Sequence, residues 1–543
     1  MKGSNQLTLE QIQNFEGKYP KQLWGLFFSE MWERFCFYGM RGVLTYFMIT
    51  HLILENGEHM QESQANLQYG ATQAFVYAFT FIGGLFADKI LGFRKSLFWG
   101  GILMIIGSAI LAFDPFPEKN FFLGISFTVI GTGFFKPNIS TMVGSLYKKN
   151  DSRRDAGFSL FYSGINIGAL LGGYACIAIG KGQLFAGFIP ADKTWNVAFG
   201  LAGVVMTISL VTFIFTQKTL GPIGLSPFKS DNDKVKQAPH LESIDTVAPE
   251  DTADVAVTVK AGKKWYEYAV YIGTLCLIPV IMTMVAKTEY TDWFMYIIGP
   301  CTLIYLIYEM TKHTWEESKK LIAALVFIIF SIVFWAFFEQ SGGSLSIFAA
   351  KNLNNVVLGA FTLDPNGVNN AANSVFVIVF APIVGLIWIA MAKKKIEPNT
   401  VIKFGLGFIF LAGAFYVFYA TRFFEVVAGS GIASLDVFVL AYFVMTFGEL
   451  CLSPIGLSIM TKLSPQKLQG VMMGMWFLAS AYGQYVAGIL GAGLSKAGEN
   501  DSLQQKLTTY TDGYYQLAIY ALIAGVVLIA ISPMVRKLMQ DVK

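Results

Sequence analysis

Residues 319–350 read KKLIAALVFIIFSIVFWAFFEQSGGSLSIFAA. From Leu321 to Phe338 this stretch runs 18 residues without a charge, close to the ~20 residues an α-helix needs to cross the hydrocarbon of a bilayer. Comparable stretches recur along almost the whole chain, separated by short polar turns. Of 543 residues, 54% are hydrophobic and 14% charged, whereas a soluble domain carries roughly 25% charge. The chain therefore reads as an all-α polytopic membrane protein.

Working outward from that stretch, hydropathy places spans near 22–54, 67–90, 96–114, 119–147, 155–180 and 194–217, then near 265–286 and 293–311. Six more follow near 319–350, 371–392, 400–421, 434–463, 468–495 and 513–535, giving about 14 transmembrane helices. Between the sixth and seventh spans, residues 219–264 are polar, poor in aromatics and too short of apolar surface to fold alone. This divides the chain into a six-helix bundle over 1–218, a polar linker over 219–264, an additional helix pair over 265–311 and a second six-helix bundle over 312–543. The alternative is twelve spans with the 265–311 pair lying at the membrane interface.

Charge placement orients the chain. Lys89, Arg94 and Lys95, then Lys148, Lys149, Arg153 and Arg154, then Lys393, Lys394 and Lys395 all fall in loops an even number of crossings from the N-terminus. The positive-inside rule puts these loops, both termini and the linker in the cytoplasm. The loop at 55–62 carries Glu55, Glu58 and Glu62 and no Lys or Arg, as the opposite side should. The first 21 residues contain no apolar segment next to a small-residue cleavage site, so the first span is expected in the mature protein. The five cysteines lie in apolar segments without metal-ligand or redox spacing and read as packing residues. A net charge of +4 leaves no nucleic-acid footprint.

A charge deep in a span is expensive, which makes each one a functional candidate. The first span contains SEMWERFCFYGMR (29–41), where Glu30, Arg34, Phe37 and Arg41 share a helical face and Glu33 and Tyr38 flank it. Lys136 stands beside Pro137 in the fourth span, at a point where proline bends a helix. Glu339 lies one turn after Trp335, and Glu449 one turn before Ser453. Four carboxylates and three cations leave a fully ionised cluster at −1, and one proton would neutralise it. None of the four histidines lies mid-span, so a carboxylate must carry any proton that is moved.

Six motifs in order resemble those of the proton-dependent oligopeptide transporters, a branch of the major facilitator superfamily. ExxERFxYYG matches Glu30–Gly39 with Phe37 in place of the first tyrosine, and GGxxADxxxG resembles Gly83–Gly92. GxGxxKPN resembles Gly131–Asn138, and FYxxINxG resembles Phe161–Gly168. FxEQxGGS and GELxxSPxGL resemble Phe337–Ser344 and Gly448–Leu457. The resemblance implies two six-helix bundles rocking about a central site, with an extra two-helix hairpin as in bacterial members, in the cell membrane. It implies proton symport of di- and tripeptides by a monomer, with the proton gradient as driving force and no cofactor.

By resemblance, Glu30, Glu33 and Arg34 handle the proton, and Lys136 pairs with Glu339 across the bundles when the outer gate opens. A peptide is a zwitterion, so its site needs opposite charges on opposite walls. Arg34, Arg41 and Lys136 are expected to take the carboxylate; Glu449, Asn166 and Asn373, with Ser453 nearby, the amine. Tyr38, Tyr77, Tyr162, Trp335, Phe338 and Trp476 are similar to the family's adaptable pocket residues. The loop with Asp88, Arg94 and Lys95 is expected to latch helices together, with topogenic charge as the alternative. A membrane-embedded enzyme would need a zinc, nucleophile-elbow or P-loop motif, and the sequence has none. A transporter of nitrate or another anion on the same fold stays open, although an inward Glu449 speaks for a substrate amine.

Overall fold

The computed structural model describes residues 7–148, 151, 153–227, 265–452, 456–465, 468–495, 501–540 and 542. A short helix α1 (Leu9–Gln13) precedes α2 (Lys21–Thr50), α3 (Glu62–Phe86), α4 (Phe93–Phe113), α5 (Glu118–Ser145), α6 (Arg154–Gly180) and α7 (Thr194–Thr216). Then come α8 (Trp265–Ala286), α9 (Thr288–Met310), α10 (Trp315–Phe338) and the short α11 (Ser344–Asn352). The last set is α12 (Pro365–Lys393), α13 (Thr400–Ala420), α14 (Leu435–Leu452), α15 (Gly456–Leu463), α16 (Gln469–Leu494) and α17 (Leu503–Met539). A two-stranded ribbon, Val356–Val357 with Phe361–Thr362, sits in the loop before α12.

Among the described residues, twelve helices are long and apolar enough to cross a membrane. Two further helices, α2 and α5, have 30 and 28 residues and lie outside those twelve. They are the helices that carry the sequence's buried-charge motifs: Glu30, Glu33, Arg34 and Arg41 in α2, Lys136 in α5. These charges lower their hydropathy, while 30 and 28 residues exceed the ~20 that a bilayer crossing needs. The expected single span 319–350 is interrupted by a 3-10 turn, Glu339–Gly342, where two glycines weaken the helix after the last phenylalanine. The expected span 434–463 is likewise described as two helices, α14 and α15.

The helices bury two main hydrophobic cores. One draws its members from residues 12–285 and the other from 306–539. The α8–α9 pair lies along both sets. Its α8 end is tied to α4, where Glu267 pairs with Lys95 and Tyr271 packs on Trp99 at 4.8 Å between ring centroids. The α8–α9 turn accepts Gln68 Nε2 on Ala286 O at 2.9 Å. In α9, Asp292 accepts from Tyr485 OH of α16 at 2.6 Å and Met295 O accepts from Tyr482.

Several charged contacts join the bundles at the end opposite the chain termini. Lys181 at the end of α6 pairs with Asp364, the N-cap of α12, at 2.8 Å. Glu62 at the start of α3 pairs with Lys351 at 2.5 Å, lies 3.7 Å from Lys506, and accepts from Tyr510 OH at 2.5 Å. About two turns along α3 from Glu62, α3 and α16 cross at glycine: a Cβ at Gly70 would lie 2.6 Å from Gly488 Cα. Replacing Gly70 by valine should cost about 1–3 kcal/mol through overpacking. A lower melting temperature in detergent is the expected readout, and an unchanged one would contradict the close crossing.

Candidate functional site

The site begins with a single helix that carries four charges at helical spacing. In α2, Arg34 Nε donates to Glu30 Oε1 at 2.7 Å, the i to i+4 pairing that one helical turn provides. Glu33 Oε2 lies 2.9 Å from the same nitrogen but forms no hydrogen bond with it, so both Glu33 oxygens are buried without a donor. Arg34 is 1% exposed and both carboxylates 0%. Two carboxylates thus share one guanidinium. Gly168 makes room for this: a Cβ there would lie 2.9 Å from Arg34 Cβ. Phe37, where the motif has tyrosine, lies under Arg34 with its ring centroid 5.8 Å from the guanidinium carbon and offers no hydroxyl.

Two turns further along α2, Arg41 leaves this triplet and faces the other bundle. Its Nη2 pairs with Glu339, and its Nε donates to Tyr69 OH at 2.8 Å. In this structure Glu339 is paired with Arg41. Lys136 instead places its Nζ 4.5 Å from the ring centroid of Tyr77. Arg41 has the reach because the 3-10 turn brings Glu339 to the level of the end of α2; Thr45 on the next turn donates to Gly342 O at 3.0 Å.

The remaining expected pocket residues come from both halves. Asn373 Nδ2 of α12 donates to Glu449 Oε2 of α14 at 2.8 Å, which brings together two residues expected from sequence to act on the same group. Asn166 is buried and donates to Tyr162 O at 3.0 Å, one turn back in α6. Trp335 and Phe338 pack edge to face at 5.3 Å, with Phe338 buried and Trp335 half-buried. Trp476 is buried in α16 against Gly456. Tyr38 stands with its ring centroid 5.6 Å from the Arg41 guanidinium carbon. Ser453 lies outside the described residues.

A POT family model matches residues 94–508. The chain belongs to the POT family. Peptide transporter YePEPT of Yersinia enterocolitica subsp. palearctica is 33% identical over 532 residues, covering 96% of each chain. A di-/tripeptide transporter of Lactococcus lactis subsp. cremoris is 31% identical over 532 residues, covering 96% of this chain and 97% of its own. A crystal structure of peptide transporter POT in complex with sulfate has a TM-score of 0.75 and 30% identity, covering 98% of this chain and 100% of that one.

In this POT-family chain the loop motif reaches both the segment after α7 and the extra hairpin. Arg94 Nε and Nη2 donate to Ile223 O and Gly221 O at 2.7 and 2.6 Å, carbonyls of the segment that follows α7. Lys95 pairs with Glu267 of the extra hairpin, and Asp88 sits in the π-helical turn Ala87–Leu91 that ends α3. The N-terminal α1 docks beside them, with Gln13 donating to Ser145 O at 3.1 Å and Ile12 buried near Gly221. Sequence reasoning did not foresee α1, whose signal is a Thr8/Gln11 capping box too short to stand out.

Removing one partner from a buried ion group costs about 3–5 kcal/mol because it strands the other charges. Arg34→Leu should therefore lower the melting temperature sharply, and adding Glu30→Gln with Glu33→Gln should recover at least half of the loss. Equal melting of the single and triple variants would contradict a shared guanidinium.

Proposed function

We propose that the chain is a proton-coupled symporter that imports di- and tripeptides by alternating access of its two helical bundles. The observation that carries this reading is the division of charge between walls. Cations Arg34 and Lys136 come from the first half, while Glu449, held by Asn373, comes from the second. A zwitterionic peptide presents a carboxylate to the first wall and an amine to the second, and bridging them draws the bundles together. The half-buried aromatics Tyr38, Tyr77, Tyr162 and Trp335 suit varied side chains because they offer large apolar faces with few directional demands. The Yersinia and Lactococcus relatives, both peptide transporters by name, support the same cargo.

The proton belongs on the α2 triplet, where Glu33 has no hydrogen-bond donor to hold its charge. Lys136 completes the coupling device by exchanging its contact with Tyr77 for Glu339 when Arg41 withdraws. The bundle end joined by Lys181–Asp364 and by Glu62 with Lys351 is the outer one, and Asp88, Arg94 and Lys95 organise the cytoplasmic side. In this arrangement the outer gate is shut. The protein works as a monomer in the cell membrane with both termini cytoplasmic, and the proton gradient replaces any cofactor. An anion transporter is the less favoured reading, since Glu449 would repel the cargo.

Liposomes holding the purified protein should accumulate labelled dialanine under an inward proton gradient, lose it with a protonophore, and show competition by other dipeptides but not free alanine. No uptake by folded protein under any driving force would contradict the reading. Glu449→Gln should weaken dipeptides with a free amine roughly tenfold or more, as for a lost charged hydrogen bond, and N-acetylated ones far less. Equal loss of both would remove Glu449 from the amine site. Glu33→Gln should abolish gradient-driven accumulation and spare peptide-for-peptide exchange; retained accumulation would remove it from the coupling path.

A further inference from the structure

Where α10 gives way to the turn Glu339–Gly342, main-chain carbonyls leave the helical ladder. Within a bilayer such groups must be satisfied by the protein itself. Two of them are capped from two different bundles. Gly342 O accepts from Thr45 Oγ1 of α2 at 3.0 Å, and Ser341 O accepts from Asn369 Nδ2 of α12 at 2.7 Å. Ser341 Oγ in turn lies 3.3 Å from Arg41 Nη2, the nitrogen that pairs with Glu339.

Asn369 is itself held. Its Oδ1 accepts from Tyr442 OH of α14 at 2.6 Å, and both residues are 1% exposed. The amide is thereby oriented from both ends, its oxygen by a hydroxyl and its nitrogen by a carbonyl. Spacing gives the pair a second connection. Asn369 is one turn before Asn373 on α12, and Tyr442 is two turns before Glu449 on α14, so each lies on the same face as its successor. Two polar rungs therefore join α12 to α14: Asn373–Glu449 and Asn369–Tyr442. The second continues to the turn that bears Glu339.

We propose that Asn369 and Tyr442 are positioning residues that hold the Glu339–Gly342 turn in shape and carry displacement at the Asn373–Glu449 pair to the Arg41–Glu339 ion pair. This rests on Glu449 receiving the substrate amine. An amine arriving there competes with Asn373 Nδ2 for the carboxylate, which alters the spacing of α12 and α14 at the first rung and shifts the second. The division of caps gives the device its logic. Thr45 and Arg41 depart with the first bundle when the outer gate opens, while Asn369 stays and keeps the turn ready for reclosure. Neither positioning residue touches the substrate.

Tyr442→Phe and Asn369→Leu keep side-chain volume and remove the rung, and both can be reconstituted and assayed with labelled dialanine. Each should lower the Vmax of gradient-driven uptake roughly tenfold, as for an unsatisfied buried group, with KM changed less than about twofold. Neither should lower Vmax further when Glu339→Gln is already present, because the ion pair they position is gone. Wild-type Vmax in either folded variant, or the same fall in both backgrounds, would overturn the positioning role while leaving peptide transport intact. Absence of dialanine transport in the wild type would overturn the peptide reading and this inference together.

Discussion

Two carboxylates share one guanidinium where water cannot reach them. Glu30, Glu33 and Arg34 lie within five residues of one helix and are fully enclosed by their neighbours. Burying charges costs several kcal/mol per ion unless partners repay it, and here the partners do not balance. The triplet is tolerable only if its environment is rigid, which is why Gly168 and Gly172 let α6 lie directly against α2. It is also tolerable if the surplus charge can be discharged by a proton. The same constraint that makes α2 an unusual membrane helix is what suits it to the coupling role proposed above.

The rest of the buried charge follows from that imbalance. Arg41 and Glu339 pair across the bundles, while Lys136 of the first half lies over Tyr77 and Glu449 of the second accepts from Asn373. The net −1 of the seven charges therefore resides on the α2 triplet alone. In the mechanism proposed, a zwitterion entering between Lys136 and Glu449 adds no net charge, so protonation of the triplet is what changes the balance. Lys181–Asp364 and Glu62–Lys351 join the bundles at the end opposite the termini through charges outside these seven.

Much of this was legible in the chain because a bilayer punishes polarity so heavily. The span edges fell within a few residues at most helices, and the charges of α2, Lys136, Glu339 and Glu449 stood out against apolar surroundings. Pairing was less legible. That Arg41 rather than Lys136 meets Glu339 depends on the 3-10 turn after Phe338, which the run of glycines signals only weakly. Asn369 and Tyr442 carried no signal, since an asparagine and a tyrosine in an apolar helix say nothing of which carbonyl they face. The ion pairs at the end opposite the termini join residues far apart in sequence, as with Glu62 and Lys351. Lys95 reads equally well as topogenic charge or as a structural partner, and only the position of α8 shows Glu267 beside it.

The claim that peptide and proton bind as one neutralising event is open to a direct measurement: proton uptake from weakly buffered detergent solution when dialanine is added to the purified protein. Close to one proton taken up per peptide bound near neutral pH, and none in Glu33→Gln protein that still binds dialanine, is the result this account predicts. Peptide binding with no proton uptake at any pH between about 5 and 8, the range over which coupled carboxyls would have to titrate, would contradict it.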